Sequence, residues 1–225
     1  MRPMWMEFPT VKEIISIDDQ YLIGSDLLIK PITSPGQTST EVAFPQSSYW
    51  YDVDTMERVA HSPTTDVLNL SVEAPLDKIP VYQRGGSIIS RKVRLRRSVP
   101  LMFVDPYTLY IALDANQSAN GILYNDDENS FSYEIGEYTL SSFSADLAES
   151  KLLKNNVSTG NPEWNNDETR GMVERIVILG LERTPSKITV EGQDLVHTYD
   201  PQQMLLVIKK PNVSVMHQWE ISFDF

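Results

Sequence analysis

Apolar residues recur in this chain with a period of two over short runs, and the runs are cut by residues that turn a backbone. Alternating or β-branched runs cover residues 21–33, 41–45, 49–53, 66–72, 80–90, 108–113, 121–124, 130–138, 174–181, 187–190, 204–209 and 219–225. Between them stand Ser34-Pro35-Gly36, Gly85-Gly86, Asn125-Asp126-Asp127 and Thr184-Pro185-Ser186. No stretch has the three-turn amphipathic pattern of a surface helix; only residues 145–153 tempt a helical assignment, and they are few. Such an inventory specifies an all-β chain built as β-sandwiches. Its 225 residues suffice for two small domains or one large β domain, with a sizeable buried core in either case.

The first residues break the pattern. Met4, Met6 and Phe8 share one face of residues 1–8 and Trp5 the other, which reads as a strand buried on both sides. Nothing in the runs that follow supplies its neighbours. Residues 1–17 are therefore expected to be the last piece of a larger domain whose body lies outside this sequence, and their removal is expected to improve solubility. A second break is in charge. Residues 1–100 carry 11 basic and 12 acidic side chains, net −1, whereas residues 101–225 carry 8 and 19, net −11. The shift places a domain boundary near residue 100. Arg91, Lys92, Arg94, Arg96 and Arg97 lie just before it; alternating with Val93 and Leu95, they read as a half-buried strand rather than a nucleic-acid patch.

Composition excludes several functions. The net charge of −12 repels a phosphate backbone, so no nucleic-acid partner is expected. No run approaches the ~18 apolar residues of a membrane span, and residues 1–10 lack the basic and apolar regions of an export signal. The absence of cysteine removes thiolate catalysis and Cys-ligated zinc. The three histidines, His61, His197 and His217, have no metal or triad spacing around them, and no dinucleotide or P-loop motif occurs. Gly85-Gly86 lacks a following helix whose amides could hold a phosphate, so it reads as a turn.

Two clusters of carboxylates test for glycosidase chemistry, which needs two Asp or Glu side chains roughly 5 to 9.5 Å apart across a cleft. Asp18 and Asp19 form one; Asp126, Asp127 and Glu128 form the other. Neighbours on a strand point to opposite faces and on a turn splay into water, so neither cluster makes an acid and nucleophile pair. Residues 125–129 also lack the spacing of an EF-hand calcium loop. No catalytic, cofactor-binding or metal-binding residue is assigned.

The strings RPMWMEFP (2–9), IDDQYLIG (17–24) and LLIKP (27–31) resemble the end of the catalytic barrel and the start of the next domain in glycoside hydrolase family 31. IPVYQRGGSII (79–89) is similar to that family's I-P-V-F-x-R-G-G-x-I-I-P segment, with Ser90 where the family has Pro. RKVRLRRS (91–98), DPYTL (105–109), GILYNDD (121–127) and the final WEIS (219–222) resemble the family too, although Asn125 and Glu128 depart from its L-Y-x-D-D-G rhythm. The resemblance implies two β-sandwich domains after the last strand of a missing (β/α)8 barrel: 1–17 the barrel end, 18–100 a proximal sandwich and 101–225 a distal one. It implies the C-terminal, non-catalytic part of a retaining α-glucosidase that removes α-1,3-linked glucose from N-glycans in the endoplasmic-reticulum lumen. The implied partners are the missing catalytic barrel of the same polypeptide, a β subunit that recruits the glycan, and the N-glycan itself. The family's catalytic aspartates lie on earlier barrel strands, the nucleophile in a W-x-D-M-N motif; that motif is not in this sequence, so no role passes to any residue here.

The alternative is a stand-alone carbohydrate-binding or interaction module. For it Trp50, Tyr51 and Trp164 would be stacking platforms, unless Trp50 and Tyr51 are core packing. Four N-x-S sequons occur, at Asn69, Asn116, Asn156 and Asn212; Asn116 and Asn156 are expected in polar loops and are the favoured acceptors.

Overall fold

The computed structural model describes residues 1–165 and 170–225. Two compact units are present, Met1–Ser87 and Ile88–Phe225. The strands, in chain order, are β1 (Arg2–Pro3), β2 (Tyr21–Ile23), β3 (Leu27–Ile29), β4 (Ser39–Pro45), β5 (Trp50–Asp52), β6 (Val67–Glu73), β7 (Val81–Arg84), β8 (Ser87–Arg91), β9 (Tyr107–Ala112), β10 (Ser118–Asn125), β11 (Thr139–Asp146), β12 (Leu152–Thr159), β13 (Val173–Leu179), β14 (Lys187–Val190), β15 (Gln193–Asp194), β16 (His197–Asp200), β17 (Leu205–Lys209) and β18 (Trp219–Asp224). No helix among the described residues is long and apolar enough to cross a membrane.

In the first unit one sheet has the order β1-β2-β3-β7-β5, and β4 and β6 pair separately. Leu22 and Leu28 from the centres of β2 and β3, Val42 and Phe44 from β4, Trp50 and Tyr82 close one core between the two sheets. Val42 and Phe44 are two apart, as a strand that buries one face requires. Phe44 meets the Tyr82 ring edge-on at 4.7 Å, and the Trp50 indole donates to the Pro45 carbonyl at 3.0 Å. Buried Gln20 acts as a substitute strand for β4: its Nε2 donates to Ala43 O at 2.7 Å and its Oε1 accepts from Ala43 N at 3.0 Å. Both polar groups of that residue would otherwise be buried without partners.

The opening strand expected over residues 1–8 is not formed. After two residues of β1 the chain turns into the single helical turn α1 (Met4–Glu7), closed by Phe8 N donating to Met4 O at 3.0 Å. The buried pair is Met4 and Phe8, four apart, whereas Trp5 and Met6 are about half exposed. Spacing by four selects a helical turn, and the uniform apolar content hides it. Met4, Phe8 and Ile14 all belong to the core of the first unit, so these residues are integral to it. The expected gain in solubility on deleting 1–17 is accordingly reversed.

In the second unit eleven strands form a single ladder, β15-β14-β18-β12-β11-β10-β8-β9-β13-β17-β16. β9 and β13 run parallel; β10–β11, β11–β12, β12–β18 and β13–β17 are antiparallel. Alternate residues Leu109 and Ile111, Ile176 and Ile178, Leu206 and Ile208, and Ile221 and Phe223 enter one shared cluster with Phe143 and Leu153. Strands far apart in the ladder bury side chains against each other, so the ladder folds back into a sandwich. Gly121 in β10 is fixed by the same closeness, because a Cβ there would overlap the Ile88 carbonyl oxygen of β8.

Three expectations are corrected here. Residues 145–153 are not helical; they join the end of β11 to the start of β12 through a turn. Residues 130–138 are not a strand but a loop with a 3-10 turn over Ser132–Ile135, ended by Gly136 at φ 90°. The basic run is not a strand beyond Arg91, where β8 ends. Its cations instead reach acidic partners across the second unit: Lys92 to Glu128 at 3.6 Å, Arg94 to Glu174 at 2.8 Å and Arg96 to Asp105 at 2.6 Å.

These pairs explain why the boundary drawn near residue 100 moves to Ser87/Ile88. Divided there, the first unit carries 6 basic and 12 acidic side chains and the second 13 and 19, net −6 each. The asymmetry in charge arose from counting five cations with the wrong unit.

Arg96 grips Asp105 with two parallel hydrogen bonds, Nε to Oδ2 at 2.9 Å and Nη2 to Oδ1 at 2.6 Å. The Asp105 carboxyl is held below its ordinary value, chiefly by the Arg96 hydrogen bond and further by the charges of Arg96, Arg94 and Lys92, against the effect of burial. A depressed carboxyl stabilises the fold above its unfolded pKa, and that contribution is lost as pH falls through the folded value. Asp105→Asn is expected to lower the urea midpoint at pH 7, with the gap to the unsubstituted chain closing below about pH 4. An equal gap at pH 3 and pH 7 would show that the ionised pair contributes nothing.

Candidate functional site

The carboxylate clusters fall on different units. In the first, Asp18 is exposed and Asp19 pairs with the buried Lys30 ammonium at 2.5 Å. In the second, Asp126, Asp127 and Glu128 form the turn after β10. Asp126 Oδ1 accepts from Glu128 N at 2.8 Å, and Asp127 Oδ1 accepts from Asn129 N at 3.1 Å and Ser130 N at 3.0 Å. Hydrogen bonds from Ser130 and Asn129 hold the Asp127 carboxyl below its usual range. Both aspartates are thus occupied in closing their own turn, the role Asx residues have in loops.

That turn forms one rim of a cleft with about 140 Å³ of open space, lined by residues including Lys92, Phe103, Tyr107, Asn125, Glu128 and Arg170. β9 supplies Tyr107 and the end of β10 supplies Asn125; the Tyr107 hydroxyl donates to Asn125 Oδ1 at 2.6 Å. Burial pushes the Tyr107 hydroxyl up to about 12, with the Glu128 charge adding to the shift and Arg170 opposing it. The Lys92 ammonium lies 4.9 Å from the Tyr107 ring centre and donates to Phe103 O at 3.0 Å. Arg170 stacks between Trp164 at 4.5 Å and Phe103 at 5.1 Å, and its Nη2 donates to Asp126 O at 3.2 Å. Gly171 next to it has φ 65°, and a Cβ there would press on Met216 and Val215. Such a cleft can bind and orient a ligand. Among the described residues, no cluster of three His, Asp or Glu side chains suited to a metal is found.

Of these residues, sequence reading singled out Asn125 through Glu128, as a turn, and Lys92, within a basic run. Phe103, Tyr107 and Arg170 were missed, because only the return of distant segments brings them together. Trp50 and Tyr51 are 2% and 1% exposed, which bears out their reading as core packing and leaves them unable to serve as stacking platforms. Trp164 is partly buried beneath Arg170. All four sequon asparagines are exposed. Asn116 sits in the turn between β9 and β10, but Asn156 lies in the middle of β12, not in a loop.

The fold defines an all-β protein of the β-sandwich class. Residues 1–89 match the sequence profile described as the Glycosyl hydrolase family 31 C-terminal domain. Neutral alpha-glucosidase AB of Dictyostelium discoideum is 40% identical over 96% of the chain and 22% of its own length. A probable glucan 1,3-alpha-glucosidase of Oryza sativa subsp. japonica is 34% identical over 98% of the chain and 24% of its own. A crystal structure of an ER glucosidase II heterodimeric complex, made of the catalytic subunit and the binding domain of the regulatory subunit, has a chain that superposes with a TM-score of 0.83. The identity is 32%, over 98% of this chain and 25% of that one. The chain belongs to glycoside hydrolase family 31 and corresponds to the C-terminal part of its α-glucosidases. It spans about a quarter or less of the length of these relatives.

Proposed function

We propose that this chain is the supporting, non-catalytic C-terminal part of a retaining α-glucosidase, acting beside the catalytic barrel of the same polypeptide. The observation that carries the reading is the correspondence of nearly the whole chain to 22% of an α-glucosidase, in a region built of sandwiches. The disposition of the carboxylates agrees with it: Asp19 is neutralised by Lys30, and Asp126 and Asp127 cap their own turn. No residue is assigned a catalytic role, because acid and nucleophile must face one sugar. The substrate proposed is α-1,3-linked glucose on N-glycans, a linkage that agrees with the name of the rice relative. The place is the endoplasmic-reticulum lumen and the partner the glucosidase II β subunit, in keeping with the heterodimer to which the structural relative belongs.

The domain reading is retained in amended form. Residues 1–17 stand where the family's barrel ends but contribute to the core of the first unit, and the proximal sandwich gives way to the distal one within β8.

The purified chain is expected to release no product from an aryl α-glucoside above a no-protein control. Losing the reacting carboxylates and the pocket that orients the sugar removes the reaction entirely. The measurement is repeated with Asp18, Asp19, Asp126 and Asp127 each changed to Ala. Turnover that one of these substitutions abolishes would place a catalytic carboxylate in this chain and defeat the reading.

A further inference from the structure

The four N-x-S motifs differ in what the fold does with them. Asn69-Leu70-Ser71 lies within β6 and pairs with β4, Asn69 standing opposite Ala43. Asn156-Val157-Ser158 lies within β12 and pairs with β11, Asn156 standing opposite Ser142. In Asn212-Val213-Ser214 the last two residues are buried: Val213 O accepts from Val173 N at 2.9 Å, and Ser214 Oγ donates to Arg170 O at 2.7 Å. Of the four, Asn116-Gln117-Ser118 alone combines an asparagine outside the strands with two following residues that are not buried.

The turn between β9 and β10 presents Asn116 to solvent for identifiable reasons. Asp114 closes it, its Oδ1 accepting from Asn116 N and from Ser118 N, each at 2.9 Å. Gln117, at φ 55°, is the residue the unit holds: its Nε2 donates to Gly180 O at 3.0 Å and its Oε1 accepts from Glu182 N at 3.2 Å. With Gln117 anchored in this way, Asn116 is left exposed, and its side-chain amide makes no hydrogen bond among the described residues. A substituent on that nitrogen therefore breaks no contact of the fold.

We propose that Asn116 is the principal N-glycosylation acceptor of this chain. The sugar donor is a lipid-linked oligosaccharyl diphosphate. A bond forms between Asn116 Nδ2 and the anomeric carbon, and the bond from that carbon to the diphosphate oxygen breaks. The lipid diphosphate leaves with the electron pair, and one of the two Nδ2 protons is released to solvent. A transferase must take the three residues of the motif into its own site, so the backbone hydrogen bonds of a ladder compete with it. On the emerging chain all four motifs are open. Once the strands pair, Asn69 and Asn156 become available again only if a strand leaves its ladder, and Asn212 only if Val213 and Ser214 leave the core. Asn116 needs the opening of one turn, and local openings cost far less than those that part a ladder. Its window for modification is accordingly the longest of the four. The inference rests on the proposed lumenal location, where the motif is read.

For the test, the full chain is made behind a cleavable export signal in a eukaryotic secretory host. Its peptides are mapped by mass spectrometry before and after peptide-N-glycosidase, which leaves an aspartate at every occupied asparagine. A glycan is expected at Asn116, at higher occupancy than at Asn69, Asn156 or Asn212. Ser118→Ala keeps Asn116 but removes the hydroxyl of the motif, and is expected to abolish the modification there. Ser118→Thr restores a hydroxyl and is expected to retain it, which separates loss of the motif from disturbance of the turn. An unmodified Asn116 in the exported chain overturns the proposal, as does an occupancy below that of any of the other three or a glycan that persists in Ser118→Ala. Because the export signal delivers the chain to the lumen in any case, such a failure leaves the proposed location standing. The location is tested on the protein isolated from its own cells: an Asn116 that is bare there but modified in the exported chain overturns the location and not the acceptor.

Discussion

Replacing Asn155 by aspartate is expected to destabilise the second unit by about 3–5 kcal/mol, a large fraction of the stability of an ordinary domain. Asn155 in β12 is buried, and its Nδ2 donates to Val215 O at 3.0 Å and His217 O at 2.9 Å. Ser141 Oγ in β11 donates to the same Val215 oxygen at 2.5 Å, and Thr139 Oγ1 to Met216 Sδ at 3.3 Å. Inward polar side chains from two neighbouring strands thus hold an irregular segment whose carbonyls no ladder serves. A carboxylate at 155 would set negative charge against two carbonyl oxygens in a dry site. Asn155→Leu, which removes the donor without adding charge, is expected to cost less, about 1–3 kcal/mol. Urea unfolding followed by Trp219 fluorescence gives both values; an Asp variant within about 0.5 kcal/mol of the unsubstituted chain would refute this role for the amide.

For the first unit the largest effect is expected at Phe8, where Phe8→Ala should cost about 3–5 kcal/mol. Its buried ring lies 6.2 Å from Trp50, and the Arg84 guanidinium covers it at 4.7 Å. Burial lowers the pKa of Arg84, with Glu7 and Asp26 opposing that effect. Glu7, which also pairs with Arg2, therefore belongs to the same assembly. Deleting residues 1–17 removes Met4, Phe8 and Ile14 together, and the first unit should then fail to fold. Limited proteolysis is the measurement: a resistant N-terminal fragment ending in the exposed run after β8, residues 93–100, is expected from the intact chain and not from the deletion. A deletion variant that keeps the fragment would show these residues to be dispensable after all.

Strands were legible where apolar and β-branched residues run together, as in β4, β9 and β13, even where both faces are buried. β11 escaped because its pattern is inverted. Thr139 and Ser141 face inward with Phe143 and Ala145, while Leu140 faces outward. A period-two signal counts hydrophobicity, and here the buried face is chosen for hydrogen bonds to Val215 and Met216, 74 and 77 residues away. The cleft of the second unit was illegible for a related reason: Lys92, Tyr107, Asn125 and Arg170 share no spacing and meet only through the ladder. In α1 the pattern is ambiguous, since Met4-Trp5-Met6 offers apolar residues to both a two-residue and a four-residue period.

The position of β18 bears on how the second unit is made. This strand comes last in sequence among the eleven, yet it lies inside the ladder between β14 and β12. Until it has been synthesised, β14 and β12 each expose an unpaired edge, and the Val213–Trp219 segment that Asn155 and Ser141 hold does not yet exist as a contact. A nascent chain emerging from its N-terminal end can complete the first unit early, while the second must wait for one late strand to be inserted between two that came out before it. Contacts closing loops of 60 residues and more make that insertion slow. During the interval those two open edges are the natural targets for a chaperone, or for mispairing with another nascent chain.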